Sequence, residues 1–157
     1  MNRILLSLLV IIELAALVGG QQPKSLSVPR KVNLKGYRLQ LEHRAGQCVL
    51  IYSGRRHQGE LKMSLPAPCE FLRNYAGGAR SFTYPDIGNA TVLMAVGGPV
   101  DPGKTDALMK EGCGTRIQAI LLRRSGVSLS QQTFGGQSRC PSTTFDETDY
   151  SVLSHPQ

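Results

Sequence analysis

Tyr37-Arg38-Leu39-Gln40-Leu41-Glu42-His43 alternates apolar or ring side chains with polar ones, the period of a strand with one face in a core and the other in water. Arg44-Ala45-Gly46-Gln47 follows with turn chemistry, and Cys48-Val49-Leu50-Ile51-Tyr52 is a β-rich run suited to burial on both faces. Residues 53–59 form a second turn, bounded by glycines, after which Leu61, Met63 and Leu65 alternate with Glu60, Lys62 and Ser64. Three consecutive antiparallel strands are the economical reading, and they set the fold class.

Toward the carboxy terminus, Pro66 and Pro68 end this meander. Residues 80–84 and 91–96 are further strand candidates around a turn at Pro85-Asp86-Ile87-Gly88. Residues 116–122 and 126–130 make another hairpin about Arg123-Arg124-Ser125-Gly126. Thr144 and Glu147 have the spacing of a capping box, which predicts a short helix over 146–153. The expected fold is mostly β, a small antiparallel barrel or sandwich with one or two short helices.

Toward the amino terminus, residues 21–33 carry Pro23 and Pro29 without periodicity and read as an extended lead-in. Residues 1–20 have the layout of a secretory signal peptide: Arg3 gives a positive start, 4–12 are apolar except Ser7, and Val18-Gly19-Gly20 offers small residues for cleavage near Gly20. That apolar run is too short for a bilayer crossing, which needs about 20 apolar residues. Residues 34–157 then form a single β-rich domain, expected to be periplasmic or secreted, with no transmembrane span once the leader is cleaved.

All four cysteines lie beyond the leader, so disulfides are expected. If the strands at 48–52 and 60–65 form a hairpin, the start of one lies beside the end of the other. Cys48 then approaches Cys69. The same argument about the second hairpin brings Cys113 toward Cys140, so the expected pairs are Cys48 with Cys69 and Cys113 with Cys140. No Cys-x-x-Cys or His-x-His pair speaks for a metal, and no cofactor is expected.

The chain carries a net charge of +7, unevenly spread. Between Lys24 and Arg80 stand eleven basic residues against Glu42, Glu60 and Glu70, while 81–157 hold six basic and seven acidic ones. Such a field favours an acidic partner. Arg44 lies at one proposed turn, Arg55, Arg56 and His57 at the next, and Arg123 and Arg124 at a third. Guanidinium groups there can hold carboxylate or phosphate bidentately. Nucleic-acid modules interleave basic and aromatic residues; Tyr37 and Tyr52 are the only aromatics before Cys69, which argues against nucleic acid.

Gly98-Pro99-Val100-Asp101-Pro102-Gly103-Lys104-Thr105 fits the phosphate-loop pattern letter by letter. Such loops work through backbone N–H donors, and Pro99 and Pro102 each delete one, so a plain connecting loop is the better reading. Nucleophilic catalysis needs a base beside the nucleophile. The histidines are His43 on the apolar side of a strand, His57 in a basic turn and His155 near the carboxy terminus. Glu60 with Glu70, or Asp146, Glu147 and Asp149, are the candidate carboxylate groups, the latter better explained as acids at a helix start. Asn89-Ala90-Thr91 matches a glycosylation sequon.

No catalytic set emerges. The expectation is an exported, disulfide-bonded binding protein, of inhibitor or immunity type, engaging an acidic protein or anionic envelope polymer through Arg44, Arg55, Arg56, His57, Arg123 and Arg124. The alternatives are an envelope hydrolase or thiol enzyme acting through Cys113 or a carboxylate pair, and a nucleotide-binding protein using the Gly98 to Thr105 loop.

Overall fold

The computed structural model describes residues 30–74, 76–98, 113–140, with backbone only at 136–139, and 145–155. The leader, the lead-in as far as Pro29, the Pro99 to Thr105 part of the phosphate-loop pattern and Thr144 lie outside the described residues.

Four strands, β1 (Lys31–Leu34), β2 (Tyr37–Arg44), β3 (Gln47–Gly54) and β4 (Gln58–Pro66), form an antiparallel sheet A in sequence order. The period-two pattern announces β2 and β4, and the β-rich run between the two turns announces β3. β1 takes up Lys31 to Asn33, inside the stretch read as lead-in, and pairs Leu34 with Tyr37 and Lys31 with Gln40. Lys35 and Gly36 make the two-residue turn, with φ of 51° and 82°, and Ala45 and Gly46 repeat it at 49° and 78°. Paired left-handed residues match the right-handed twist of the flanking strands.

Sheet B holds β5 (Cys69–Phe71), β6 (Ser81–Tyr84), β7 (Ala90–Gly97), β8 (Gly114–Arg123) and β9 (Gly126–Arg139). Its order is β5-β7-β8-β9, and β5 and β6 lie end to end along one edge of β7, opposite 95–97 and 90–93. Every residue of β7 is buried, because the sheet is covered on both faces. Leu93, Ala95, Ile120 and Leu122 meet Leu39, Leu41, Leu50 and Leu65 of sheet A. On the other side, Val92, Met94, Val96 and Leu121 pack with Phe145, Tyr150 and Leu153 of the helical segment. The two sheets are separate and antiparallel, so of the two expected architectures this is the sandwich, with a helix as a third layer.

The helix α1 (Glu147–Ser154) starts from Asp146, not from Thr144 as the capping-box spacing predicts. Asp146 Oδ1 accepts from the Asp149 amide at 3.2 Å, and Asp149 Oδ2 accepts from the Asp146 amide at 3.1 Å. The box is therefore closed by two aspartates shifted by two residues.

Both expected disulfides are present, and no cysteine among the described residues is free. Cys48 to Cys69 joins β3 to β5 and so fastens sheet A to sheet B. Cys113 to Cys140 closes the open end of the β8–β9 hairpin.

A second tie between the sheets is polar. Gln118, 3% exposed, accepts from the Ser64 amide of β4 at 2.8 Å and donates to the Ser130 carbonyl of β9 at 2.8 Å. Ser130 Oγ accepts from the Ala119 amide at 3.0 Å and donates to the Gln132 carbonyl at 2.8 Å. This occurs where the β8–β9 register shifts between Gln118 and Ile120, so side chains satisfy the groups that the bulge takes out of the ladder.

Candidate binding groove

In a meander, alternate turns share an end. The β1–β2 turn with Lys35 and the β3–β4 turn with Arg55, Arg56 and His57 therefore lie at one end of sheet A. The β2–β3 turn lies at the other, roughly 25 Å away along eight-residue strands. The face-to-face packing then sets the β6–β7 and β8–β9 turns of sheet B over the first end. A groove of about 710 Å³ results, lined by Lys35, Tyr37, Arg55, Arg56, His57, Asn89, Arg123 and Arg124 among others.

Arg123 is fixed in this groove. Its Nε donates to the Ile87 carbonyl at 3.2 Å and its Nη1 donates to Ser128 Oγ at 2.9 Å. Tyr37 crosses from sheet A, its hydroxyl donating to the Arg123 carbonyl at 3.1 Å. The ring lies over Gly54, where a Cβ would stand 2.7 Å from Tyr37 Cδ1, and meets Tyr52 edge-on at 6.5 Å. The β3–β4 turn is closed by the Gly54 amide donating to the His57 carbonyl at 2.8 Å.

Lys35, Arg55, Arg56 and Arg124 have no ion pair among the described residues, and no acid lines the groove. Arg44 stands apart at the opposite end, bound to Glu42 at 2.9 Å and to Glu60 at 2.8 Å. Hydrogen bonds to these two carboxylates hold its pKa above the usual arginine value. Of the six basic residues singled out in the sequence, the fold thus gathers Arg55, Arg56, His57, Arg123 and Arg124 and separates Arg44. It adds Lys35, which sequence reasoning missed because strand β1 and the turn at Lys35-Gly36 carry no alternation of their own, and Tyr37, legible as a strand residue but brought to Arg123 only by the packing of the two sheets.

The other chemical candidates are dispersed. Glu60 pairs with Arg44 on sheet A, whereas Glu70 lies in β5 with Arg73 at 3.5 Å, so they form no carboxylate pair. Asp146 and Asp149 are engaged in the helix cap. The sulfur of Cys113 is bound to that of Cys140. His43 Nε2 accepts from the Cys69 amide at 3.0 Å and links β2 to β5. His155 lies against the β6–β7 turn, its Nε2 2.7 Å from Asp86 Oδ2 and its Nδ1 2.7 Å from the Ser151 carbonyl. Among the described residues no group of three His, Cys, Asp or Glu side chains gathers as metal ligands, and no helix is long and apolar enough to cross a membrane. Asn89 of the sequon is exposed, with φ of 54°, and Thr91 Oγ1 lies 3.1 Å from Thr83 Oγ1.

Comparison with known proteins finds no family model, no curated protein and no solved structure that matches this chain.

Proposed function

We propose that the protein is an exported, disulfide-bonded binding protein, of inhibitor or immunity type, that holds an acidic partner at the turn end of its sandwich. The observation that carries this reading is the convergence of Lys35, Arg55, Arg56, His57, Arg123 and Arg124 on one groove without an acid in its lining. Uncompensated cations in a concave surface concentrate the field and raise the encounter rate with an anion. Loops on a rigid sheet keep those cations in place at small entropic cost. Two disulfides suit a chain that works in an oxidising compartment, in keeping with the signal-like leader.

Charge reversal tests the reading. A partner captured by the tagged chain from its own envelope fraction or medium is repurified, and its association rate is measured across a salt series. Arg55→Glu with Arg56→Glu should slow association by about tenfold or more at low salt, and the difference should shrink as salt rises. Arg44→Glu, at the other end, should leave the rate within about twofold of wild type. Equal rates for wild type and the double reversal would place binding elsewhere.

A further inference from the structure

The groove does not stop between the sheets. A second hollow of about 610 Å³ lies across the turn ends of β1, β2 and β3, past the row Asn33, Arg38 and Ser53. The two hollows share Lys35, Gly36, Tyr37 and Arg55. They are therefore two arms of one track that bends around the β1–β2 turn, with cations in both arms and at the junction. A single phosphate or carboxylate would occupy only a fraction of it. The shape calls for a linear ligand with repeating negative charge.

The lining narrows its chemistry. Protein interfaces are centred on Trp, Tyr and Arg anchors; the track has the arginines, but its apolar lining is limited to Leu34 and Tyr37, each half-buried, and to Leu122. Leu122 at its floor is 3% exposed, and Val152 on α1 is the one exposed large hydrophobic among the described residues. Single-stranded nucleic acid is held by stacking on free aromatic faces. The track holds two rings: Tyr37, which lies over Gly54 and packs edge-on against Tyr52 with its hydroxyl tied to Arg123, and the imidazole of His57 in the β3–β4 turn. What alternates with the cations is neutral and hydrogen-bonding: Asn33 and Ser53 in one arm, Thr83 and Asn89 in the other. Cations for carboxylate or sulfate, with amides and hydroxyls for sugar hydroxyls, are the complement of an acidic sugar chain.

We infer that the track binds a linear anionic polysaccharide, carboxylated or sulfated, laid across both arms. This rests on the reading of the basic end as the binding face. The test uses fluorescent heparin and alginate oligosaccharides long enough to span both arms, their disaccharides, polyglutamate and oligothymidylate. Anisotropy is read on protein whose two disulfides have been verified by mass. A long oligosaccharide of either kind should bind at least about tenfold more tightly than its disaccharide and than polyglutamate. Arg38→Glu in one arm and Arg124→Glu in the other should each weaken it severalfold, since only a ligand spanning both arms feels both changes. Tighter binding of heparin, which bears sulfate as well as carboxylate, gives sulfate or the higher charge density a part. Equal or tighter binding of alginate shows that carboxylate suffices, and either outcome supports the inference. Polyglutamate binding as tightly overturns the inference but keeps the basic end as a protein-binding face. Tighter oligothymidylate binding overturns it in favour of nucleic acid. Folded protein that binds none of these polyanions overturns the inference and leaves the reading on which it rests to the charge-reversal test with the captured partner.

Discussion

Gln118 shows how one side chain substitutes for a stretch of missing ladder. It is the buried polar residue through which β4 of one sheet and β9 of the other share a donor and an acceptor. Gln118→Leu fills similar space but orphans the buried Ser130 carbonyl, while the Ser64 amide, on an exposed residue, can turn to water. Leaving a buried group unpaired costs about 1–3 kcal/mol, so denaturant unfolding should show a loss of about that size with the slope unchanged. Gly54 is a second such position. A methyl there collides with the Tyr37 ring, which must swing away and release its bond to the Arg123 carbonyl. Gly54→Ala should cost about 1–2 kcal/mol and should also weaken anion binding, whereas Tyr37→Phe, which keeps the ring in place, should cost about 1 kcal/mol with little effect on binding. Neither Gln118 nor Gly54 was legible in the sequence. A glutamine inside an apolar run and a glycine at a strand end acquire meaning only from residues 54 positions and 17 positions away. The arginines were legible as turn residues, since charge and turn propensity are local. Their gathering was legible only in part. Strand parity alone separates Arg44 from Arg55 and Arg56, but the meeting of Arg123 and Arg124 with them depends on how one sheet lies on the other.

Strands announce themselves through period two, as in β2 and β4, or through short β-rich runs between turn signals, as in β3, β6, β7 and β8. β5 escaped it because Cys69–Phe71 spans three residues, too few to establish an alternation, and is held by pairing with the distant β7. β9 runs to Arg139, well past the expected 130, because the bulge at Ser130 to Gln132 interrupts its pattern. The helix was readable, but both Thr144 with Glu147 and Asp146 with Asp149 satisfy the cap spacing, and local chemistry does not choose between them. At the far end of α1, His155 fastens the helix to the β6–β7 turn. The hydrogen bond to the Ser151 carbonyl, and next that to Asp86, raise the His155 pKa above its ordinary value. The hydrogen bond from His155 lowers that of Asp86. The histidine contribution is fully present below about pH 6.5 and is lost as pH rises through the raised value; the aspartate contribution is present above about pH 4 and is lost as pH falls through the lowered value. The latch should therefore be firmest between about pH 4 and about pH 6.5. Hydrogen exchange of the α1 amides should quicken beyond the intrinsic rate as pH rises above about 6.5. Asp86→Asn should flatten that excess. Tyr84, whose hydroxyl donates to the Glu147 carbonyl at 2.8 Å, does not share the transition, since burial pushes its pKa up to about 12.

At the scale of the molecule, the strands of each sheet follow one another in the sequence, and among the described residues the chain passes from one sheet to the other once, from Pro66 at the end of β4 to Cys69 at the start of β5. The Cys48 to Cys69 bridge sits at that passage. Replacing both of its cysteines by alanine frees a loop with a sequence separation of 21 and should lower stability by about 3 kcal/mol in the chain-entropy model, measured as the shift in denaturant midpoint against wild type. The basic excess belongs to the same division: residues 30–66 hold eight basic and two acidic side chains, while 67–157 hold eight of each. The positive end was thus visible in the sequence as a property of one half, before any strand was paired. The order of the bridges has a further consequence for how the chain matures. First joins second and third joins fourth along the sequence, so a polypeptide emerging amino terminus first exposes each cysteine's correct partner before any later rival. Oxidation that keeps pace with emergence yields the native pairing directly, and no mispaired bond has to be reshuffled by an isomerase.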